Sequence, residues 1–191
     1  MNPANGPSQH IILIGFMGCG KSTIGRILHR MLGDPLVDLD QLIEEKAGMA
    51  ITDIFARRGE PFFRMLEAAV LQELAAPGPR KIVSTGGGIV TRRRNRALLR
   101  QLGFVVWLQA PVDAILERTR RNRDRPLLNT ENPREKVEAL LNQRIPLYEN
   151  TAHLAIDTSN LDAEETACGI IESARYYWTQ EPEPNSTNTG K

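Results

Sequence analysis

The sequence has few of the side chains that bind transition metals or form disulfides. It contains two cysteines and three histidines in 191 residues. Cys19 and Cys168 lie far apart, and neither they nor His10, His29 and His153 match a known spacing of metal ligands. A disulfide at Cys19 would distort the glycine-rich turn around it, so a reducing, cytoplasmic compartment is expected.

Excess charge and long apolar runs are missing as well. The 24 basic and 23 acidic side chains leave a net charge of +1, which gives no overall attraction for nucleic acid. No apolar run approaches the roughly 20 residues that cross a membrane, and no secretory leader pattern precedes His10. We therefore expect neither a nucleic-acid partner nor a membrane partner.

The length fits one domain with a core of its own, which we place at residues 10–178. Residues 1–9 and 179–191 have the polar composition of disordered tails. Apolar strands are predicted at about 10–15, 35–40, 81–85, 103–109 and 153–157, with helical patterns between them. Strands of this kind, alternating with helices, predict a parallel sheet covered on both faces.

What the chain does contain is a phosphate-binding motif. The stretch Gly15-Phe16-Met17-Gly18-Cys19-Gly20-Lys21-Ser22-Thr23 follows an apolar strand and precedes a helical pattern over 21–32. In that context the backbone N–H groups converge on phosphate oxygens, and the helix adds its positive end. Lys21 can reach the β- and γ-phosphates of a bound nucleotide, and the Ser22 hydroxyl can ligate Mg²⁺. The predicted nucleotide-binding residues of this loop are Gly18, Cys19, Gly20, Lys21, Ser22 and Thr23.

Two carboxylates end the second predicted strand. We expect Asp38 and Asp40 to alternate along an extended chain, to face the same side, and to lie near the phosphate loop. One can lie against Mg²⁺ and its waters, and the other can accept the proton of an attacking hydroxyl. The alternative is that Asp40 is the N-cap of the following helix.

Three consecutive glycines, Gly86, Gly87 and Gly88, follow the third predicted strand. Such a run is costly in entropy, so it suggests close approach of the backbone to a ligand, with a plain loop as the alternative.

The arginines leave more alternatives open. Arg64 and Glu67 lie one helical turn apart, which favours a weak surface ion pair over an acid that orients Arg64 toward a substrate carboxylate. The Arg-rich stretch that begins at Arg118 and includes Arg125 is predicted to be a lid over phosphates, at about 120–132, or else an exposed basic loop. Arg144 precedes a Pro-bent helix end and can point into a cleft or into solvent.

The order and spacing of these segments resemble the shikimate kinase family over about residues 10–171. The matching segments are the phosphate loop, Asp38-x-Asp40, Ile54-Phe55-x-x-x-Gly59-Glu60-x-x-Phe63-Arg64-x-x-Glu67, Thr85-Gly86-Gly87-Gly88, Arg125-Pro126-Leu127-Leu128 and Arg144-x-Pro146-Leu147-Tyr148. The resemblance implies a three-layer α/β/α P-loop kinase fold with a five-stranded parallel sheet of order 2-3-1-4-5 and a mobile lid. It also implies transfer of the γ-phosphoryl of ATP to the 3-hydroxyl of shikimate, on the route to chorismate and aromatic amino acids.

The resemblance implies a role for individual residues too. The substrate-binding positions, in a region centred on about 40–70, are Asp40, Arg64, Gly86, Gly87, Gly88 and Arg144. Arg118 matches a residue that stacks on adenine, Arg125 a lid arginine that reaches the phosphates, and Ser22 and Asp38 the Mg²⁺ sphere. Lys21, Asp40 and Arg125 are the expected catalytic residues, and the Cys19 side chain is given no role. We expect a monomer.

Two alternatives stay open on the sequence. One is a related kinase for another small acid, such as gluconate. The other is a nucleotide-binding regulator that grips nucleic acid through its basic segments, although its balanced charge and lack of interleaved aromatic residues count against this.

Overall fold

A computed structural model of the chain describes residues 9–120, 132–159 and 161–180. The strands are β1 (His10–Ile14), β2 (Leu36–Asp38), β3 (Ile82–Ser84), β4 (Gly103–Gln109) and β5 (Leu154–Asp157). The α-helices are α1 (Lys21–Leu32), α2 (Leu39–Ala47), α3 (Ile51–Glu73), α4 (Arg93–Leu102), α5 (Val112–Arg120), α6 (Pro133–Glu149) and α7 (Ala163–Gln180). Arg125 and nearly all of the predicted lid and tails lie outside the described residues, and α7 runs two residues past the predicted domain end at 178.

The five strands form one parallel sheet in the order β2-β3-β1-β4-β5, which confirms the predicted order. Strand β1 lies at the centre, with Ile11 in register with Ile82 on one side and Phe104 on the other. All five residues of β1 are buried. A strand covered on both faces reads as a continuous apolar run, which is why β1 shows no polar alternation.

Alternate residues of β1 pack against opposite helical layers. Ile11 and Leu13 belong to a core that includes Leu28 of α1 and Ile170 of α7. Ile12 belongs to a second core, with side chains of α2, α3, α4 and α6. The central strand is therefore fixed from both sides, and the loop that follows it starts from a rigid point.

The second strand is shorter than predicted, and this moves the acidic pair. Strand β2 ends at Asp38, whose carboxylate accepts a hydrogen bond from the Asp40 N–H at 3.0 Å and so caps α2. Asp40 lies in the first turn of α2, so the predicted alternation along an extended chain is wrong. The N-cap falls on Asp38 instead of Asp40, because the unpaired N–H groups of a first turn need an acceptor and a carboxylate supplies it.

Helix α3 is bent at Gly59, where φ is 77° and ψ is 170°. Gly59 therefore divides α3 into two helical segments that meet at a kink. Pro61 lies at the start of the second segment, where its fixed φ is tolerated. The kink sets the direction of the second segment, which carries Arg64 and Glu67 inward.

Candidate active site

The phosphate loop joins β1 to α1 at the carboxyl end of the central strand. Gly20 is the N-cap of α1 with φ of 100°, and no side chain there accepts a hydrogen bond from the first turn. The first-turn N–H groups and the positive end of the helix are the features that bind phosphate. Because a Cβ at Gly20 would meet no atom within 4 Å, the left-handed backbone alone accounts for glycine at this position.

Lys21 and Cys19 both pack inside this loop. The Lys21 ammonium donates hydrogen bonds to the carbonyl oxygens of Gly15 (2.8 Å) and Phe16 (2.9 Å) and lies 3.6 Å from the Cys19 sulfur. The Cys19 side chain is buried, and its sulfur would lie 2.8 Å from a Cβ at position 15. The ammonium is therefore held at the loop, and the Cys19 side chain contributes to the packing of the loop.

The Gly86–Gly88 segment follows β3 and lies between the loop and the predicted substrate residues. A Cβ on Gly86 would lie 2.8 Å from Asp40 Oδ1, and one on Gly88 would overlap the Arg64 guanidinium. A Cβ on Gly87 would lie 3.3 Å from a backbone nitrogen of the phosphate loop. The three glycines thus permit a close approach, and this structure identifies Asp40, Arg64 and the loop as the groups approached. These predicted site residues therefore lie around one short backbone segment, and the region they surround is called the cleft below.

Arg64 is held between two carboxylates. Its Nη1 donates to both oxygens of Glu67, at 2.9 and 3.0 Å, and its Nε and Nη2 both donate to Oε1 of Glu60 at 3.1 Å. The Arg64 side chain is 11% exposed and that of Glu67 is 1% exposed. The favoured prediction of a surface ion pair is therefore wrong, because the bend in α3 turns this face of the helix into the protein.

Burial also shapes the electrostatics of that pair. Burial raises the pKa of the Glu67 carboxyl, and the charge and hydrogen bonds of Arg64 act against this rise. Asp40 raises the pKa further, to a smaller extent, which places two acids within electrostatic reach of one another. Arg64 is thus the cation that allows Glu67 to be buried, and Glu67 in turn fixes the orientation of the guanidinium.

Arg144 and Tyr148 of α6 both hold the carbonyl oxygen of Gly87. The Arg144 Nη1 donates to it at 3.3 Å and the Tyr148 hydroxyl at 2.5 Å. The Arg144 guanidinium also lies 5.6 Å from the centre of the Phe16 ring, a cation–π contact with the phosphate loop. Arg144 therefore points into the cleft and not into solvent. Burial raises the pKa of the Tyr148 phenol, so that it stays a neutral donor.

The remaining predicted site residues either lie at the edge of the cleft or, like Arg125, fall outside the described residues. Ser22 is exposed in the first turn of α1, and Asp38 ends β2 opposite Ser84. Both supply the oxygen atoms that Mg²⁺ prefers. Arg118 donates a hydrogen bond from Nη1 to the Gly18 carbonyl at 3.2 Å, at the rim of the phosphate loop. Within the described part of the chain, no group of three or more His, Cys, Asp or Glu side chains is placed to hold a metal ion.

Sequence reasoning gave no role to two residues of this cleft, Glu60 and Tyr148. Both lie inside motifs that carried the family resemblance, Gly59-Glu60-x-x-Phe63-Arg64 and Arg144-x-Pro146-Leu147-Tyr148. Their spacing of four residues from Arg64 and Arg144 was the available signal, since residues four apart share one face of a helix.

A phosphate loop after the central strand of a parallel sheet, beside a cleft of carboxylates and guanidinium groups, defines a P-loop phosphotransferase for a small acceptor. Residues 17–175 match the sequence model of the family described as Shikimate kinase. The chain therefore belongs to the shikimate kinase family, and it is an ATP-dependent kinase.

Individual relatives agree with the family. A shikimate kinase of Actinobacillus pleuropneumoniae serotype 5b is 47% identical over 164 residues, which are 86% of this chain and 94% of the relative. A shikimate kinase of Thioalkalivibrio sulfidiphilus is 47% identical over 170 residues, which are 89% of this chain and 87% of the relative. A solved shikimate kinase from Acinetobacter baumannii, in complex with shikimate, superposes with a TM-score of 0.83 at 42% identity and covers 88% of this chain and 94% of its own.

A gluconokinase from Sinorhizobium meliloti shares the fold at a TM-score of 0.59 but only 19% of the sequence. That likeness supports the architecture alone. Among the described residues, no helix combines the length and the apolar character needed to cross a bilayer.

Proposed function

We propose that Asp40, Arg64 and Arg144 bind shikimate beside a phosphate loop that holds ATP, so that the γ-phosphoryl group passes to the 3-hydroxyl and gives shikimate 3-phosphate and ADP. The observation that carries this proposal is the Gly86–Gly88 segment, which contacts the phosphate loop on one side and Asp40 and Arg64 on the other. Donor and acceptor sites that share one backbone segment have a fixed separation, which is the main requirement of phosphoryl transfer.

The two guanidinium groups suit the carboxylate of the substrate. Arg64 overlies Gly88 and Arg144 donates to Gly87, so both flank the same two residues. Guanidinium groups bind carboxylates through paired, charge-assisted hydrogen bonds. Asp40, close to Gly86, can accept hydrogen bonds from ring hydroxyls and orient the one that attacks.

The phosphate side works mainly by neutralising charge. Lys21 is held at the loop, and a loose transition state needs positive charge near the transferring group more than it needs a base. Arg118 at the loop rim is proposed to stack on the adenine, and Arg125 to reach the phosphates. Ser22 and Asp38 fit the outer or inner sphere of Mg²⁺, which when bound neutralises phosphate charge. The proposed nucleotide site is completed by Gly18, Gly20 and the backbones of Cys19 and Thr23.

The mode of assembly and the compartment are also proposals. We propose that the protein is a monomer. The buried Cys19 thiol inside the phosphate loop suits a reducing cytoplasm.

The test is coupled release of ADP as a function of shikimate concentration. We expect ATP turnover to depend on shikimate and to be lost in Lys21→Ala, with D-gluconate giving no comparable rate. ATP binding without turnover on shikimate would contradict the proposal. Steeply salt-dependent binding to DNA without turnover would instead favour a nucleic-acid regulator.

A further inference from the structure

The Arg64 guanidinium has little room for a further partner in this structure. Its Nε–Nη2 edge donates to one oxygen of Glu60, and its Nη1 donates to Glu67. A Cβ at Gly88 would overlap Nη1 and Nη2, so the Gly88 backbone packs closely against the guanidinium. A carboxylate that is to be held by two parallel N–H bonds needs one edge of the guanidinium for itself. The edge that Glu60 occupies is the one whose partner can be exchanged.

The two acids that hold Arg64 differ in their freedom to move. The Glu67 side chain is 1% exposed and accepts hydrogen bonds from Arg64 through both oxygens. Breaking this pair would leave a buried Glu67 carboxylate without its cation. The Glu60 side chain is 62% exposed and uses one oxygen only. Only the Glu60 end of this ion pair is exposed, so water can take up the Glu60 carboxylate when it leaves Arg64. Glu67 is thus a fixed partner of Arg64, and Glu60 is a displaceable one.

We propose that Glu60 competes with the substrate carboxylate for the Nε–Nη2 edge of Arg64 and thereby sets the affinity and the specificity of the acceptor site. This inference rests on the role proposed above for Arg64. A ligand with a carboxylate displaces Glu60 and compensates Arg64 in full. A neutral ligand of the same shape does not balance the positive charge of Arg64. The ion pair between Arg64 and Glu60 then persists and excludes that ligand. Glu60 is in this sense a specificity-determining residue that makes no bond to the bound substrate.

The variants Glu60→Gln and Glu60→Ala test the competition. Calorimetric titration with shikimate in the absence of ATP should show a dissociation constant about two- to fivefold lower in both variants, the size expected when an ion pair with one solvent-exposed partner no longer has to be broken. The preference for shikimate over its neutral methyl ester should fall, because Arg64 then loses the acid that shields it from uncharged ligands. The matched control is Glu45→Gln, which removes one exposed negative charge on α2 and should bind shikimate as the wild type does.

The Arg64→Gln background separates this inference from the proposed function. With Arg64 replaced, shikimate affinity should fall strongly, and adding Glu60→Gln should change it no further. Unchanged or weaker binding in the two Glu60 variants, together with a strong loss in Arg64→Gln, would overturn the competition and make Glu60 a support for Arg64. Tightening that persists without Arg64 would overturn it too, since the effect would then be one of general charge. Full affinity in Arg64→Gln would instead remove the assignment of Arg64 itself, and the competition with it.

Discussion

The phenolic hydroxyl of Tyr148 donates a hydrogen bond to the carbonyl oxygen of Gly87 at 2.5 Å. The Tyr148 ring is fully buried and stacks on Trp107 of the central sheet, with ring centres 5.6 Å apart. One peptide of the glycine segment is thereby tied to the core, and its carbonyl is turned toward α6. The segment that separates the two halves of the cleft is thus held by a rigid aromatic side chain, although its own residues have no side chains to fix them.

Tyr148→Phe should raise the KM for shikimate several-fold and change the KM for ATP little. The hydroxyl is lost, Arg144 is left as the donor to the Gly87 carbonyl, and the unfolding free energy should fall by about 1 kcal/mol. Steady-state kinetics, with the concentration of each substrate varied in turn, measure the two KM values separately. The exposed Tyr176→Phe is the matched control. Equal changes in both KM values would mean that Tyr148 supports the fold and has no specific effect on the glycine segment.

Asp40→Asn should keep ATP binding and lower kcat by about 100-fold, the lower range for a group that takes a proton in the transition state. The amide preserves the shape of the side chain and its place in the first turn of α2, so the fold should persist. Single-turnover rates and equilibrium binding of ATP make the comparison. A variant with nearly the wild-type rate would show that Asp40 neither positions the attacking hydroxyl nor accepts its proton.

Arg64→Lys should raise the KM for shikimate by about tenfold or more and leave the KM for ATP nearly unchanged. Lysine keeps the charge but lacks the planar fork, so it cannot bond Glu67 and a substrate carboxylate together. Losing one charge-assisted hydrogen bond accounts for a change of this size. Comparable losses for both substrates would indicate that Arg64 is needed only to keep Glu67 buried.

The sequence predicted the elements that local patterns determine. The helix at Lys21–Leu32 and the strand at Gly103–Gln109 are found at the predicted residues, since a glycine loop, a glycine cap and a continuous apolar run mark their ends. The order of the strands followed from the family resemblance. The helix and the strand, unlike the strand order, depend on near neighbours in sequence, so no knowledge of the remaining chain is needed to recognise them.

Burial and capping could not be predicted in the same way. The spacing of Arg64 and Glu67 predicted a surface ion pair, whereas the structure buries it. The prediction failed because the direction of their helix depends on the kink at Gly59 and on packing against distant strands. The chain also leaves β2 two residues earlier than its apolar pattern suggests, since the Asp38 carboxylate caps α2. The roles of the individual site residues remain predictions that the variants described here test.

The stability of the protein should fall as the pH drops below about 6.5, through the buried His10. The Nδ1 of His10 accepts a hydrogen bond from the Lys81 N–H at 3.1 Å, so its Nε2 carries the proton and donates to the Leu74 carbonyl at 3.2 Å. This arrangement requires a neutral ring. Burial lowers the pKa of His10 below its ordinary value of 6.5, the charge of Lys81 lowers it further, and the bond to Leu74 opposes both.

Between the lowered pKa and 6.5 the unfolded chain binds more protons than the folded one, so the free energy of unfolding decreases as the pH falls through that window. Its slope approaches about 1.4 kcal/mol per pH unit for a single group. Urea unfolding at pH 8, 6 and 5 should show this loss in the wild type and a smaller one in His10→Gln. The exposed His29→Gln, which leaves the buried ring in place, should follow the wild type. The same pH dependence in His10→Gln as in the wild type would mean that another group titrates on unfolding and that His10 is not responsible.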